Sequence, residues 1–179
     1  MKGKRRSFAA DACPIARTVD TIGDWWSLLI IRDAALGGKR RFGEFQKSLG
    51  LAKNILAVRL RKLVSRGIMQ TVPASDGSAY HEYVLTEKGQ RLHLVLMAIW
   101  QWAETSLFAP GEMQGVLCDQ QNGEPVAPME LRSRDGRVLR IGDTILRRDL
   151  RTGASPKKHR SGAKRRPPSK RSTALNATR

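Results

Sequence analysis

Residues 39–66 hold nine lysines and arginines and a single acid, Glu44. Side chains of this kind neutralise phosphates, and two polar residues set among them, Asn54 and Arg61, are of the types that hydrogen-bond the edges of adenine and guanine. Residues 151–179 add ten basic residues and no acid, within a net charge of +17 for the 179-residue chain. A nearly neutral body with one concentrated basic stretch and a basic tail reads as a polyanion binder, against the simpler reading of a solvated surface. Catalysis has no comparable foothold. No G-x-S-x-G, P-loop, H-E-x-x-H or Gly-rich dinucleotide pattern occurs, and the carboxylates are scattered. His81, His93 and His159 fall in different elements with no metal spacing. Cys13 and Cys118 form neither a disulfide framework nor a Cys-only zinc site. The expectation is a protein that is not an enzyme and needs no metal or cofactor.

No apolar run approaches the roughly 18–20 residues that span a bilayer. The basic N-terminus leads into no apolar segment of the kind that directs secretion. A cytoplasmic, nucleoid-associated protein without membrane contact is expected.

The elements that must position the basic stretch are legible from periodicity. Residues 19–36, apolar at nearly every position after Gly23, read as a buried helix ended by Gly37 and Gly38. Residues 41–49 read as a short helix with Phe42, Phe45 and Leu49 on one face. Gly50 and Leu51 make a tight turn. Residues 53–66 form the most regular helix, with Leu56, Leu60, Leu63 and Val64 on one stripe and Asn54, Val58, Arg61 and Ser65 opposite. Gly67 caps it. Residues 68–72 and 80–85 alternate as two strands of a hairpin, whose tip, Ser75 to Ser78, has no lysine or arginine. Thr86 then caps a second long helix over 87–107.

Helix, short helix, turn, basic helix and hairpin is the winged helix-turn-helix order. The expected fold is mainly α with a small β-hairpin wing. It divides into an N-terminal arm (1–17), the winged domain (18–108) with a dimerisation helix (87–107), a small β-rich or partly extended extension (109–150), and a disordered basic tail (151–179). A helix fits the DNA major groove, so its outward side chains can reach base edges while flanking lysines and arginines meet phosphates.

Several ordered motifs carry a closer resemblance. They are the stretch from Cys13 to Arg17 (CPIAR), that from Ile22 to Arg32 (IGDWWSLLIIR), and RFGEF beginning at Arg41. Others are LRKL beginning at Leu60, Gly67-Ile68, and YVLTEKG from Tyr83 to Gly89. Over about residues 13–108 the chain resembles the HxlR-type branch of winged-helix regulators, relatives of the MarR type. The resemblance implies a bacterial transcription regulator that dimerises through terminal helices, in a family where some members sense electrophiles or oxidants through the cysteine matching Cys13. The chain departs from that pattern where Trp25 replaces a basic residue, Ala52 an N-capping serine, and Val58 a polar residue facing the groove.

The expected DNA-binding residues are Arg40, Arg41, Lys53, Asn54, Ala57, Val58, Arg59, Arg61 and Lys62. Lys53 is read as a phosphate contact, Arg40 and Arg41 as backbone clamps, and Arg59 and Lys62 as either phosphate contacts or solvated flanks. Leu92, Leu96, Ile99, Trp100 and Ala103 are expected at a homodimer interface, because they exceed what one small core can cover. Cys13 is either a redox-sensing thiol activated by Arg17 or a packing residue. The partners so implied are double-stranded DNA, a second copy of the chain, and a small-molecule or electrophile effector. Two functions stand: a sequence-specific regulator on a pseudo-palindromic operator, or an architectural protein that coats DNA without preference. An RNA-binding module is disfavoured, since no exposed aromatic strand offers a stacking platform.

Overall fold

Cys13 is extended ahead of Pro14, whose ring presets the first helical φ, and α1 (Pro14–Ile22) starts there. In the computed structural model, residues 7–113 and 115–147 are described; the tail 151–179 expected above lies outside the described residues. The described chain falls into two units, divided between Met129 and Glu130.

The single buried helix expected over 19–36 is corrected to two helices. Asp24 breaks the run by capping a new one, α2 (Trp25–Ala35): its carboxylate accepts from Ser27 N at 3.0 Å and from the Ser27 hydroxyl at 2.7 Å. Helix α3 (Phe42–Leu49) starts where Glu44 reaches back to accept the Arg40 and Arg41 N–H groups, both at 2.8 Å. It ends at Gly50, whose φ of +62° only glycine adopts without strain. That left-handed residue turns the chain directly into α4 (Lys53–Ser65). Leu56, Leu60 and Leu63 of α4 are fully buried with Phe45 of α3 and Ile30 of α2. Each such side chain contributes about 1.5–3 kcal/mol of transfer free energy. The α4 end is closed as a Schellman turn, with Gly67 N donating to Val64 O and Ile68 N to Leu63 O, both at 2.9 Å.

Strands β1 (Met69–Pro73) and β2 (His81–Leu85) pair antiparallel, with Met69 opposite Leu85 and Pro73 opposite His81. Arg40 extends the pairing by one bond, accepting from Tyr83 N at 2.7 Å. The hairpin is pinned to the start of α3 by Glu82, which is 3% exposed. Its carboxylate accepts from the Ser75 N–H (3.3 Å) and hydroxyl (3.0 Å) and faces Arg40 (3.6 Å) and Arg41 (3.5 Å). Burial pushes this carboxyl up, but the Ser75 bonds and the two guanidiniums outweigh it and hold it below the usual glutamate value.

The long helix expected over 87–107 is corrected to two, α5 (Glu87–Gln90) and α6 (His93–Ser106). Thr86 caps α5 as expected, accepting from Gly89 N at 3.1 Å while its hydroxyl reaches Gly67 O at 2.7 Å. Gly89 sits so close to β1 that a Cβ there would stand 2.1 Å from Ile68 O. This fastens the first turn to the hairpin. The i→i+3 bond from Leu92 N to Gly89 O (3.0 Å) then tightens the chain before α6 begins. The extension has turns and two isolated antiparallel bridges, Cys118 with Pro125 in the first unit and Arg132 with Val138 in the second. In the first unit Gln101 of α6 anchors it by donating to Ala127 O (3.0 Å) and accepting from Met129 N (2.7 Å).

Gly89→Ala should lower the urea midpoint, at a cost of about 1–3 kcal/mol for forcing the backbone apart. Gly43→Ala in α3, where an added Cβ meets nothing, should raise stability by about 0.5–1 kcal/mol. A Gly89→Ala variant as stable as the parent would mean that the α5 contact is not tight. For Glu82, the lowered native value means its contribution is complete above the ordinary glutamate pKa and lost as pH falls through the native one. Glu82→Gln should therefore be less stable than the parent at neutral pH and lose less stability between about pH 5 and pH 3. Parallel pH profiles for the two proteins would contradict this.

Candidate nucleic-acid interface

Helix α4 presents to solvent the face opposite its leucines. Lys53, Asn54, Val58 and Arg61 are exposed, and Ala57 is half-buried beside them. Ile55, which periodicity alone did not single out, stands 40% exposed one turn before Val58 at 50%. Apolar side chains at such positions suit thymine methyl groups. Ala52 offers no capping side chain, and Asn54 compensates: its Oδ1 accepts from Ile55 N at 2.9 Å. The Asn54 carbonyl keeps a second lone pair, and its NH2 group makes no hydrogen bond among the described residues. The Arg61 Nε donates to Ala57 O at 3.3 Å, a bond along its own helix.

The basic residues divide into two sets. Arg59 and Lys62 are half-buried, and each lies 3.5 Å from the Asp24 carboxylate. Burial pushes Asp24 up, but hydrogen bonds from Ser27 and then these two cations bring it below the usual aspartate value. Arg66 pairs with Asp20 at 3.3 Å and Lys39 with Asp33 at 3.7 Å. Arg40 and Arg41, expected as clamps on a nucleic-acid backbone, face Glu82, and Arg41 Nη2 also meets Asp76 Oδ2 at the wing tip at 2.6 Å. Of the nine cations in 39–66, Lys47, Lys53 and Arg61 alone make no ion pair among the described residues. Asp24, Asp76 and Glu82 escaped the sequence reading because each is distant in the chain from the cation it meets.

The expected interface residues are also split. Leu96 joins Met97 in the protomer's own core, Leu92, Trp100 and Ala103 are half-buried, and Ile99 is exposed. Leu94, Val95 and Trp102 complete an apolar face on α6 that nothing among the described residues covers. Beside it, α2 and α6 enclose an apolar groove of about 440 Å³ lined by Trp25, Leu28, Ile99, Trp100, Ala103 and Phe108. The Trp100 Nε1 atom is buried and makes no hydrogen bond among the described residues. Cys13 is exposed at the N-cap of α1, and its N–H is held by Asp11 Oδ1 at 2.8 Å. Arg17 turns its Nε to the Asp11 carbonyl. No helix among the described residues is long and apolar enough to cross a membrane.

Comparison with known proteins identifies the family. Residues 21–109 match the HxlR-like helix-turn-helix family. Rv3095 of Mycobacterium tuberculosis, an uncharacterized HTH-type transcriptional regulator, is 38% identical over 96 residues, which are 54% of this chain and 60% of that protein. The chain thus spans about 60% of the length of the first curated relatives it matches. The HTH-type regulator sll1512 of Synechocystis is 31% identical over 113 residues, covering 63% of this chain and 80% of that one. Among solved structures, PA1607, a candidate transcription factor, is 52% identical with a TM-score of 0.76, over 80% of this chain and all of the other. That likeness reaches beyond the residues of the family match. PA1374 of Pseudomonas aeruginosa, also a candidate transcription factor, is 38% identical with a TM-score of 0.53, over 75% of this chain and 90% of the other. With the family match lying on α2 through α6 and several relatives matched over most of their own length, the chain belongs to the HxlR-like helix-turn-helix family.

Proposed function

We propose that this protein is a transcription regulator that binds double-stranded DNA sequence-specifically, as a homodimer on a pseudo-palindromic operator. The observation that carries the reading is the α4 face: Lys53, Asn54, Val58 and Arg61 stand exposed on a helix whose other sides are locked by buried leucines and by ion pairs to Asp24. A helix held in this way enters a major groove as a rigid reader. Asn54 would pair with adenine, Arg61 with guanine, Ile55 and Val58 would lie against thymine methyls, and Lys53 would meet a phosphate. The uncovered apolar face of α6 supports pairing of two copies, and a two-fold axis then sets half-sites roughly 10 base pairs apart, about one turn. Effectors would act by changing the spacing of the two α4 helices, through the Cys13 thiol or through a small molecule in the α2–α6 groove. An architectural, DNA-coating role is the alternative favoured by the +17 net charge.

Footprinting separates the two: the regulator protects a discrete site with two half-sites, and uniform protection means coating. On the protected duplex, Asn54→Ala and Arg61→Ala should each cost on the order of 1–3 kcal/mol per half-site, and random DNA should lose much less. Equal losses on both DNAs would place base readout elsewhere. For the thiol, a quinone or peroxide should change operator affinity of the parent and leave Cys13→Ser unaffected. An identical response in both proteins removes Cys13 from the sensing mechanism.

A further inference from the structure

We propose that Asp76 is a specificity-determining residue, which occupies the outer end of Arg41 at the wing tip and yields it to a DNA phosphate only when α4 is seated in its site. The inference rests on the reading of DNA as the partner.

The Arg41 guanidinium is held in two places that differ in kind. Its Nε faces Glu82 Oε1 at 3.5 Å, and Glu82 is buried at 3% exposure with Ser75 donating twice to the same oxygen. Withdrawing a cation from a buried carboxylate costs more than withdrawing one from an exposed carboxylate, so this inner contact, which Glu82 shares with Arg40 at 3.6 Å, is the more persistent of the two. The outer contact, Nη2 to Asp76 Oδ2 at 2.6 Å, joins a 39% exposed arginine to a 49% exposed aspartate. Exposed pairs are weak, because water screens them and rehydrates the partners when they part. The outer end of Arg41 is therefore exchangeable, and a phosphate is an oxyanion of the same hydrogen-bonding kind as the carboxylate it would replace.

Asp76 is aimed at Arg41 by its turn. Its Oδ1 accepts from Ser78 N at 3.1 Å, and Gly77 N closes on Ala74 O at 3.1 Å. This acid sits on a tip, Ser75 to Ser78, that has no cation of its own. Bringing the wing to a duplex thus presents a negative charge to phosphates and a masked arginine beside it. Non-specific complexes consist almost wholly of phosphate contacts, so they lose most from the mask. A site that seats α4 holds a phosphate against Arg41 in fixed geometry and offsets the exchange. When Arg41 passes from Asp76 to a phosphate, the phosphate releases its condensed cation while the freed carboxylate attracts one. That contact then drops out of the salt dependence.

The test uses the full chain and fluorescence anisotropy across a salt series. The probes are a duplex selected by the protein from a random-sequence pool and the same duplex scrambled. Asp76→Asn keeps an oxygen for the Ser78 N–H, so the turn is retained. Asp76→Asn should bind the scrambled duplex several-fold more tightly and steepen the slope of log affinity against log salt by about 0.9 per protomer. The selected duplex should gain less, so the ratio between the two falls. In an Arg41→Gln background, Asp76→Asn should leave the slope unchanged. The proposal is overturned if Asp76→Asn alters neither slope nor ratio. It is equally overturned if the change is as large in the Arg41→Gln background, which would make Asp76 a through-space charge only. A parent protein that binds neither duplex overturns the DNA reading itself.

Discussion

One carboxylate joins the two helices on which the rest of the domain depends. Asp24 caps α2 through Ser27 and receives Arg59 and Lys62 from α4, 38 residues further on in the case of Lys62. The leucine stripe of α4 alone would confine that helix to an arc, since apolar packing is non-directional. Two ion pairs on one flank, at 3.5 Å each, add a directional contact to that packing. Asn54, Val58 and Arg61 lie opposite the buried leucines and face solvent. Asp24 thus links the start of α2 to one flank of α4, leaving the opposite face of α4 open to solvent.

The same logic governs the charge of the domain. Six of the nine cations between residues 39 and 66 meet acids from α1, α2 or the hairpin, so the segment is less of an open cationic surface than its composition suggests. Held cations fix geometry: Arg40 and Arg41 lock the wing through Glu82, and Arg66 ties α4 to α1 through Asp20. Lys53 and Arg61 remain to meet an outside anion on the exposed face of α4. Within residues 39–66 the unpaired positive charge is therefore confined to Lys47, Lys53 and Arg61 among the described residues.

Apolar surface is left over on the other side. Leu96 and Met97 turn into the core, while Leu94, Val95, Ile99 and Trp102 stay outside it on the same helix. A contiguous apolar face on one helix is characteristic of an association surface. The break at Arg91 and Leu92 separates this face from α5, which Gly89 and Thr86 fasten to the hairpin. The hairpin is thereby held against α5, while the apolar face belongs to α6.

Much of this was determined by local sequence. Periodicity located α3 and α4 to within a residue, and the hairpin strands to within one position, because leucine spacing and alternation are properties of the chain itself. The Gly50 turn, the Thr86 cap and the exposed stripe of Asn54, Val58 and Arg61 were legible for the same reason. What the sequence could not reveal was contact between residues far apart in it. The break at Asp24 does carry a local signal, a glycine followed by a capping acid, but the long apolar run after it dominates a reading by hydrophobicity. The split of 87–107 leaves no such mark, because apolar residues continue through Leu92 into α6. The pairing of Arg40 and Arg41 with Glu82 and Asp76, and of Arg59 and Lys62 with Asp24, was likewise decided by folding. A cation's neighbours along the chain say how much charge a segment has; only the tertiary structure says which of those charges already have a carboxylate beside them.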